Sequence, residues 1–129
     1  MITIPISYGE LLDKLSILQI KTEWIDDKEK KKKAQDELDI LTEHYNGDVD
    51  LKTILELNVI YEKLLSVNRE LWKIEDDIRI KEKYKQFDEH FIELARSVYI
   101  TNDKRFELKA QINKIMGSNI NEVKSYEKY

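Results

Sequence analysis

The chain has 129 residues, of which 37% are charged, with three glycines, one proline and no cysteine. This length fits one domain with a single core, and the lack of cysteine excludes disulfides, thiol nucleophiles and cysteine zinc sites. A net charge of −4 argues against nucleic acid as a partner, because an excess of lysine and arginine is needed to bind phosphate backbones.

The first residues predict a short extended arm followed by a helix. Residues 1–6 contain Pro5, which is confined to edges within sheets. Ser7 and Glu10 then have the spacing of a capping box, in which each side chain bonds the backbone N–H of the other residue. Apolar residues at helical spacing continue as far as Tyr45, so we expect the first helix to cover residues 8–45.

Two further helices and a polar tail follow. Residues 50–84 contain no glycine or proline. Asp88 is a typical N-cap and Gly117 a typical C-cap, which places a third helix at residues 88–116. Short turns between long helices require antiparallel neighbours. The predicted fold is therefore all-α, an antiparallel bundle of three long helices in one domain that spans residues 1–129, with residues 117–129 as its tail.

The chain is expected to be cytoplasmic and to form a homodimer. It has neither a signal-peptide pattern nor an apolar stretch of membrane-spanning length, so we expect no membrane contact. A slender three-helix bundle would leave Ile74, Leu108 and Ile115 uncovered, and such apolar flanks favour pairing with a second copy.

Polar residues interrupt the apolar face of the second predicted helix. Asn68, Trp72, Glu75 and Arg79 lie within about 60° of one another on a helix that turns by about 100° per residue. Apolar residues precede them on the same arc and lie between them. Because buried polar groups cost free energy unless they are paired, this face marks a place where something is bound or paired.

The third predicted helix has the same anomaly, and the two polar faces are predicted to meet. Residues at equal distances before and after a turn lie side by side in antiparallel helices, so reflection about the turn at residues 86–87 places Asn68 level with Arg105. Reflection about the turn predicted at Gly47 places Glu75 level with Lys21. By this geometry the following residues converge on one layer: Lys21, Asn68, Trp72, Glu75, Asp76, Arg79, Asn102 and Arg105.

Two functions are compatible with such a layer. The first is a cleft between helices that binds a small anionic ligand, such as a sugar phosphate, nucleotide sugar or carboxylate. Its ligand-binding residues would be Lys21, Asn68, Trp72, Arg79, Asn102, Arg105 and Lys109, with Glu75 and Asp76 as candidate catalytic carboxylates. The second is an interaction module without enzyme activity, whose buried ion network fixes helix register. The cleft is favoured because Asn102, Arg105 and Lys109 supply more cationic and amide groups than the carboxylates of Glu75 and Asp76 need as partners. Whether the cleft catalyses a reaction stays open.

Neither a metal nor a cofactor is expected. His44 and His90 lack the spacing of metal ligands. Glu10 and Asp13 could hold Mg²⁺ together with Glu75 and Asp76, but the reflected geometry separates the two carboxylate pairs by about 10 Å, and cations balance them.

Four segments together resemble a known family: residues 6–15 (ISYGELLDKL), the pattern Asn68…Leu71-Trp72…Glu75-Asp76…Arg79, the pattern Leu94–Tyr99…Asn102-Asp103…Arg105, and residues 124–126. The family consists of short bacterial and phage proteins of unknown function. A second uncharacterised helical family, associated with envelope-sugar transferases, is similar through the Asn68–Arg79 segment alone. That resemblance implies a link to surface-glycan metabolism. All-helical chorismate mutases are similar in architecture, which is a fold-level analogy only.

Overall fold

The computed structural model describes the backbone of residues 1–129 and every side chain except that of Asp48. Helices make up 77% of the chain, and none of the described residues lies in a strand. The helices are α1 (Tyr8–Trp24), α2 (Lys28–Asp48), α3 (Leu51–Lys83) and α4 (Glu89–Met116). The all-α prediction is confirmed.

The predicted number of three helices is wrong, because the first predicted helix is two helices, which makes four in the described chain. Ile25 and Asp27 have extended backbone conformations that interrupt it. Asp27 Oδ1 accepts a hydrogen bond from the backbone N–H of Lys30 at 3.0 Å and so caps the start of α2. Such a cap satisfies a backbone donor that the first helical turn leaves unpaired. The long charged run around Asp27 concealed this start signal in the sequence.

The start of the first helix and both ends of the last two helices agree with the predictions to within one residue, whereas α2 ends at Asp48, three residues beyond the predicted end at Tyr45. Asp88 accepts a hydrogen bond from the backbone N–H of Phe91, and Gly117 closes α4 with a left-handed φ of 62°. The weak helix formers at residues 101–103 do not interrupt α4. Gly47, however, lies inside α2 in right-handed helical backbone instead of forming a turn.

Helix α1 is the centre of the molecule. It packs against α2, α3 and α4, and α3 also packs against α4. The apolar core joins three of these helices and consists of Leu11, Leu12, Leu15, Leu57, Ile60, Leu64 and Ile112. A helix with neighbours on several sides has little solvated surface, so a polar side chain on α1 needs a partner inside the fold.

Of the three flanks that suggested a homodimer, Ile74 is buried within a single chain and Leu108 is half-buried against the core. Ile115 remains 41% exposed. Residues 1–6 form an exposed arm without regular structure, as predicted. Among the described residues, no helix contains an apolar stretch long enough to cross a bilayer.

Candidate functional site

Asp13 of α1 is the centre of a buried polar network that joins three helices. Its side chain Oδ1 accepts hydrogen bonds from Asn68 Nδ2 at 3.0 Å and from Arg105 Nε at 2.8 Å. Asn68 Nδ2 also donates to Ser16 Oγ at 2.7 Å, and Ser16 Oγ donates to the Asp13 backbone carbonyl at 2.7 Å. This network therefore holds one turn of α1 against both α3 and α4.

Arg105 and Asp13 form a bidentate ion pair. The second guanidinium nitrogen of Arg105 donates to Asp13 Oδ2, so both carboxylate oxygens are bound by the same cation. Asp13 is only 3% exposed. The hydrogen bonds to Asp13 raise the pKa of Arg105, because they stabilise its charged form more than burial destabilises it. Two parallel bonds also fix the relative position of α1 and α4.

Lys109 lies one turn further along α4 and is paired with two carboxylates. Its Nζ is 2.5 Å from Glu10 Oε1 and 2.9 Å from Glu122 Oε2, and the residue is 6% exposed. Burial acts to lower the pKa of Lys109, but the hydrogen bonds to Glu10 and Glu122 outweigh it and the pKa is raised. Lys109 therefore stays charged inside the fold.

Helices α1 and α4 lie close together at Gly9. Its backbone N–H donates to Asn113 Oδ1 at 2.7 Å. A Cβ at this position would lie 2.6 Å from the Lys109 carbonyl oxygen and 2.9 Å from Asn113 Oδ1. A glycine is therefore required for this contact, which also pairs one of the free N–H groups at the start of α1.

The C-terminal segment, residues 117–129, returns along α4. The Tyr129 hydroxyl donates to Asp103 Oδ2 at 2.6 Å, and Lys124 Nζ lies 3.7 Å from Asp103 Oδ1. Lys124 Nζ also lies 5.1 Å from the centre of the Phe106 ring. Between this segment and α4 is a small polar pocket of about 100 Å³, lined by Asn102, Arg105, Phe106, Lys109, Glu122 and Lys124.

The predicted site residues fall into two groups in the structure. Asn68 and Arg105 share Asp13, and Asn102, Arg105 and Lys109 line the small pocket. The structure therefore places Asn68 level with Arg105, as reflection about residues 86–87 predicts.

The remaining predicted site residues lie elsewhere. Glu75 pairs with Arg79 of its own helix at 2.9 Å, with the Arg79 side chain 74% exposed. Trp72 contacts the ring of Trp24 edge-on with the ring centroids 6.1 Å apart, Asp76 is exposed, and Lys21 is half-buried on α1. The pairing about Gly47, which predicts Glu75 beside Lys21, fails because the break at residues 25–27 turns α2 back along α1.

Sequence reasoning missed the carboxylates that pair with the cations of α4. The sequence suggests Asp13 as a magnesium ligand and Glu10 as a magnesium ligand and a helix cap, but it links neither to Arg105 or Lys109. A signal was present, since Asp13 and Ser16 lie beside Leu12 and Leu15 in a strongly apolar helix. Among the described residues, no group of three or more histidine and carboxylate side chains is placed to hold a metal ion.

A larger groove lies between α1, α2 and α3. It has a volume of about 530 Å³, with α1 as its floor and α2 and α3 as its walls. Leu12, Leu15, Leu38 and Ile54 contribute its apolar lining. Polar groups at its edge include the Tyr61 hydroxyl, which donates to Gln19 Oε1 at 2.7 Å.

The chain belongs to the family of unknown function DUF6165, whose family model matches residues 2–129. The predicted membership of an uncharacterised family is thereby confirmed. No curated protein and no solved structure matches the chain.

Proposed function

We propose that this chain is a helical interaction module, whose buried ion network fixes the register of α1 against α3 and α4. The observation that supports this proposal is the closure of the polar network. Among the described side chains, every buried nitrogen and oxygen has a hydrogen-bond partner. A network in which every polar group is paired can specify one arrangement of helices. A ligand cleft instead needs polar groups that have no partner within the protein until the ligand binds.

The charge balance at α4 weighs against a small-anion cleft in the folded chain. The cleft hypothesis requires Asn102, Arg105 and Lys109 to supply more cationic and amide groups than nearby carboxylates can pair with. Arg105 is paired with Asp13, and Lys109 is paired with Glu10 and Glu122. An incoming anion would have to displace one of these carboxylates and would meet the repulsion of the others.

Exposed apolar surface on α3 supports assembly as the function. Leu51 is 72% exposed, Leu55 61% and Val59 62%, and all three lie on one side of the helix. Exposed apolar side chains that adjoin one another are typical of binding surfaces. The proposal gives Glu75 and Asp76 no catalytic role, and the cytoplasmic location stays a prediction.

A thermal-shift screen tests the proposal against the ligand-cleft hypothesis. The panel contains phosphate, sugar phosphates, nucleotide sugars and dicarboxylates at millimolar concentration. A compound that binds only the folded state raises the melting temperature, so the interaction module predicts no shift with any of them. A compound that stabilises the wild type but not the Lys109→Met variant would overturn the proposal in favour of an anion site.

One observation favours a second candidate, an anion site that opens when the C-terminal segment moves. Glu122 of that segment places its carboxylate on Lys109 in the small pocket, so this lysine already binds one carboxylate that belongs to a non-helical part of the chain. The Glu122→Gln variant removes that charge without changing the size of the side chain. If the second candidate is correct, phosphate raises the melting temperature of Glu122→Gln but not of the wild type. An equal response of both proteins would exclude it.

A further inference from the structure

The outer face of α3 carries a short pattern that is complementary to itself. Lys52, Leu55, Val59 and Glu62 follow one another at helical steps of three, four and three residues and lie within an arc of about 80°. All four are exposed, and we call them the α3 stripe. The buried residues of this part of α3 are Leu57, Ile60 and Leu64, which lie on the opposite side of the helix.

We propose that the α3 stripe binds the same stripe of a second copy, with the two α3 helices antiparallel about a two-fold axis midway between Leu55 and Val59. In this arrangement Leu55 of one copy packs against Val59 of the other. Lys52 of each copy then lies opposite Glu62 of the other. A two-fold interface uses the same patch on both subunits, so it requires this kind of self-complementarity. The inference rests on the proposed function, since it names the partner of the interaction module.

The charges of the stripe select the antiparallel arrangement. Two parallel α3 helices would bring Lys52 against Lys52 and Glu62 against Glu62, and like charges at close range repel. The antiparallel arrangement instead places one opposite-charge pair at each end of an apolar centre. These pairs exclude the wrong orientation more than they add affinity.

The groove beside the stripe extends the surface that a second copy can bury. The groove wall formed by α3 includes Ile54, Asn58 and Tyr61, which lie next to Leu55 around the helix. Across the groove, α2 contributes Leu38 and Tyr45. A stable dimer buries about 1,200–2,000 Å² in total, which is more than four side chains from each copy provide. The second α3 must therefore also cover the edge of this groove.

The far end of α3 supplies a control surface. Ile80 is 53% exposed and lies on the same side of α3 as the stripe, but it is about 35 Å from the proposed axis at about 1.5 Å per residue. A glutamate there adds the same charge to the same helix at a place that the proposed partner does not reach.

Light scattering coupled to gel filtration at tens of micromolar tests the inference. We expect a dimer for the wild type and for Ile80→Glu, and a monomer for Leu55→Glu, with circular dichroism showing the same helix content in all three. A monomeric wild type would overturn the inference but leave the interaction module in place with another partner. Loss of the dimer in Ile80→Glu would overturn the proposed position of the axis.

A charge exchange tests the register of the two helices. Lys52→Glu and Glu62→Lys each place two like charges at both ends of the interface, so each is expected to weaken dimerisation by about tenfold or more. The double variant restores opposite charges and should recover the dimer. If the double variant dissociates as readily as the single variants, the antiparallel pairing is wrong. A ligand found in the thermal-shift screen would overturn the proposed function without any change in these measurements.

Discussion

Arg105 of α4 binds both carboxylate oxygens of Asp13 in α1. These residues are 92 positions apart in the chain, so their contact forms only when α4 packs against α1. Breaking a buried pair leaves a charge without compensation, whereas removing both charges costs much less. We therefore expect the pair to select the register of the fold more than it adds to net stability.

Arg105→Met is expected to lower the free energy of unfolding by about 3 kcal/mol, as found when one partner of a buried ion pair is removed. This value is at the lower end of the range of about 3–5 kcal/mol for buried ion pairs, because the Arg105 side chain is 29% exposed and water reaches part of it. Urea denaturation measures the loss. Arg96→Met changes an exposed arginine of the same helix and should stay within about 0.5 kcal/mol of the wild type.

Adding Asp13→Asn to Arg105→Met should restore much of the lost stability, because the unpaired carboxylate is then replaced by a neutral amide of similar size. If Arg105→Met alone costs no more than Arg96→Met, the network is not closed and the ligand-cleft hypothesis regains its support.

The sequence predicts most of the secondary structure here because capping residues and helical periodicity act locally. Asp88 and Gly117 have the same roles in the structure that their residue types suggest. The break before Lys28 was missed because Asp27 and the residues around it are charged, and charged residues fit a solvated helix and a helix start equally well.

The candidate site was predicted only in part because it depends on which helices face each other. Asn68 and Arg105 were placed correctly because a short, recognisable turn joins α3 and α4. The partner helix α1 could not be aligned once its end was misplaced, and Asp13 was therefore assigned no cation. The return of Glu122 onto Lys109 has no periodic signal in the sequence, because the segment that carries it is not helical.

Gly9→Ala is expected to destabilise the protein by about 1–3 kcal/mol, the usual cost of forcing an extra methyl group into a packed contact. The added Cβ would meet backbone and side-chain oxygens of α4 at less than 3 Å, so the two helices would have to separate. Gly47→Ala is the matched control. No atom lies within 4 Å of its added Cβ, and it should gain up to about 1 kcal/mol from helix propensity. Thermal melts of both variants check this, and equal effects would contradict the close approach of α1 and α4.

Stability is expected to decrease in alkaline solution as Tyr61 ionises. Burial raises the pKa of Tyr61 from 10.0 to about 12, so the folded state favours the neutral phenol that bonds to Gln19. A raised pKa gives stability that is complete below the pKa of the unfolded chain and is lost as pH rises toward the folded value. The loss attributable to Tyr61 should therefore lie between pH 10 and about pH 12. Urea midpoints of wild type and Tyr61→Phe over this range isolate it. If the difference in urea midpoint between the two proteins does not change with pH, the folded state does not raise the pKa of Tyr61.

Asn68→Asp is expected to destabilise the protein more at neutral pH than in mild acid, relative to the wild type. The change keeps the shape of the side chain but places a second carboxylate beside Asp13, at the site where Asn68 Nδ2 donates at 3.0 Å. Two carboxylates at this distance raise the pKa of one of them, even though Arg105 compensates part of the charge. A raised pKa in the folded state gives stability that is present at low pH and lost as pH rises. The variant should therefore be least stable relative to wild type near neutral pH and recover as pH falls toward about 4, the ordinary pKa of aspartate.

Urea midpoints of Asn68→Asp and wild type at several pH values between about 4 and 7.5 test this expectation, because the unfolded aspartate titrates near the lower limit. Asn119→Asp makes the same substitution at an exposed position of the C-terminal segment, and its difference from wild type should be small and without this pH dependence. A pH-independent loss in Asn68→Asp would mean that the new carboxylate turns away from Asp13. Asn68 would then act as a packing residue, and the network that joins α1, α3 and α4 would reduce to the ion pairs of α1 with α4.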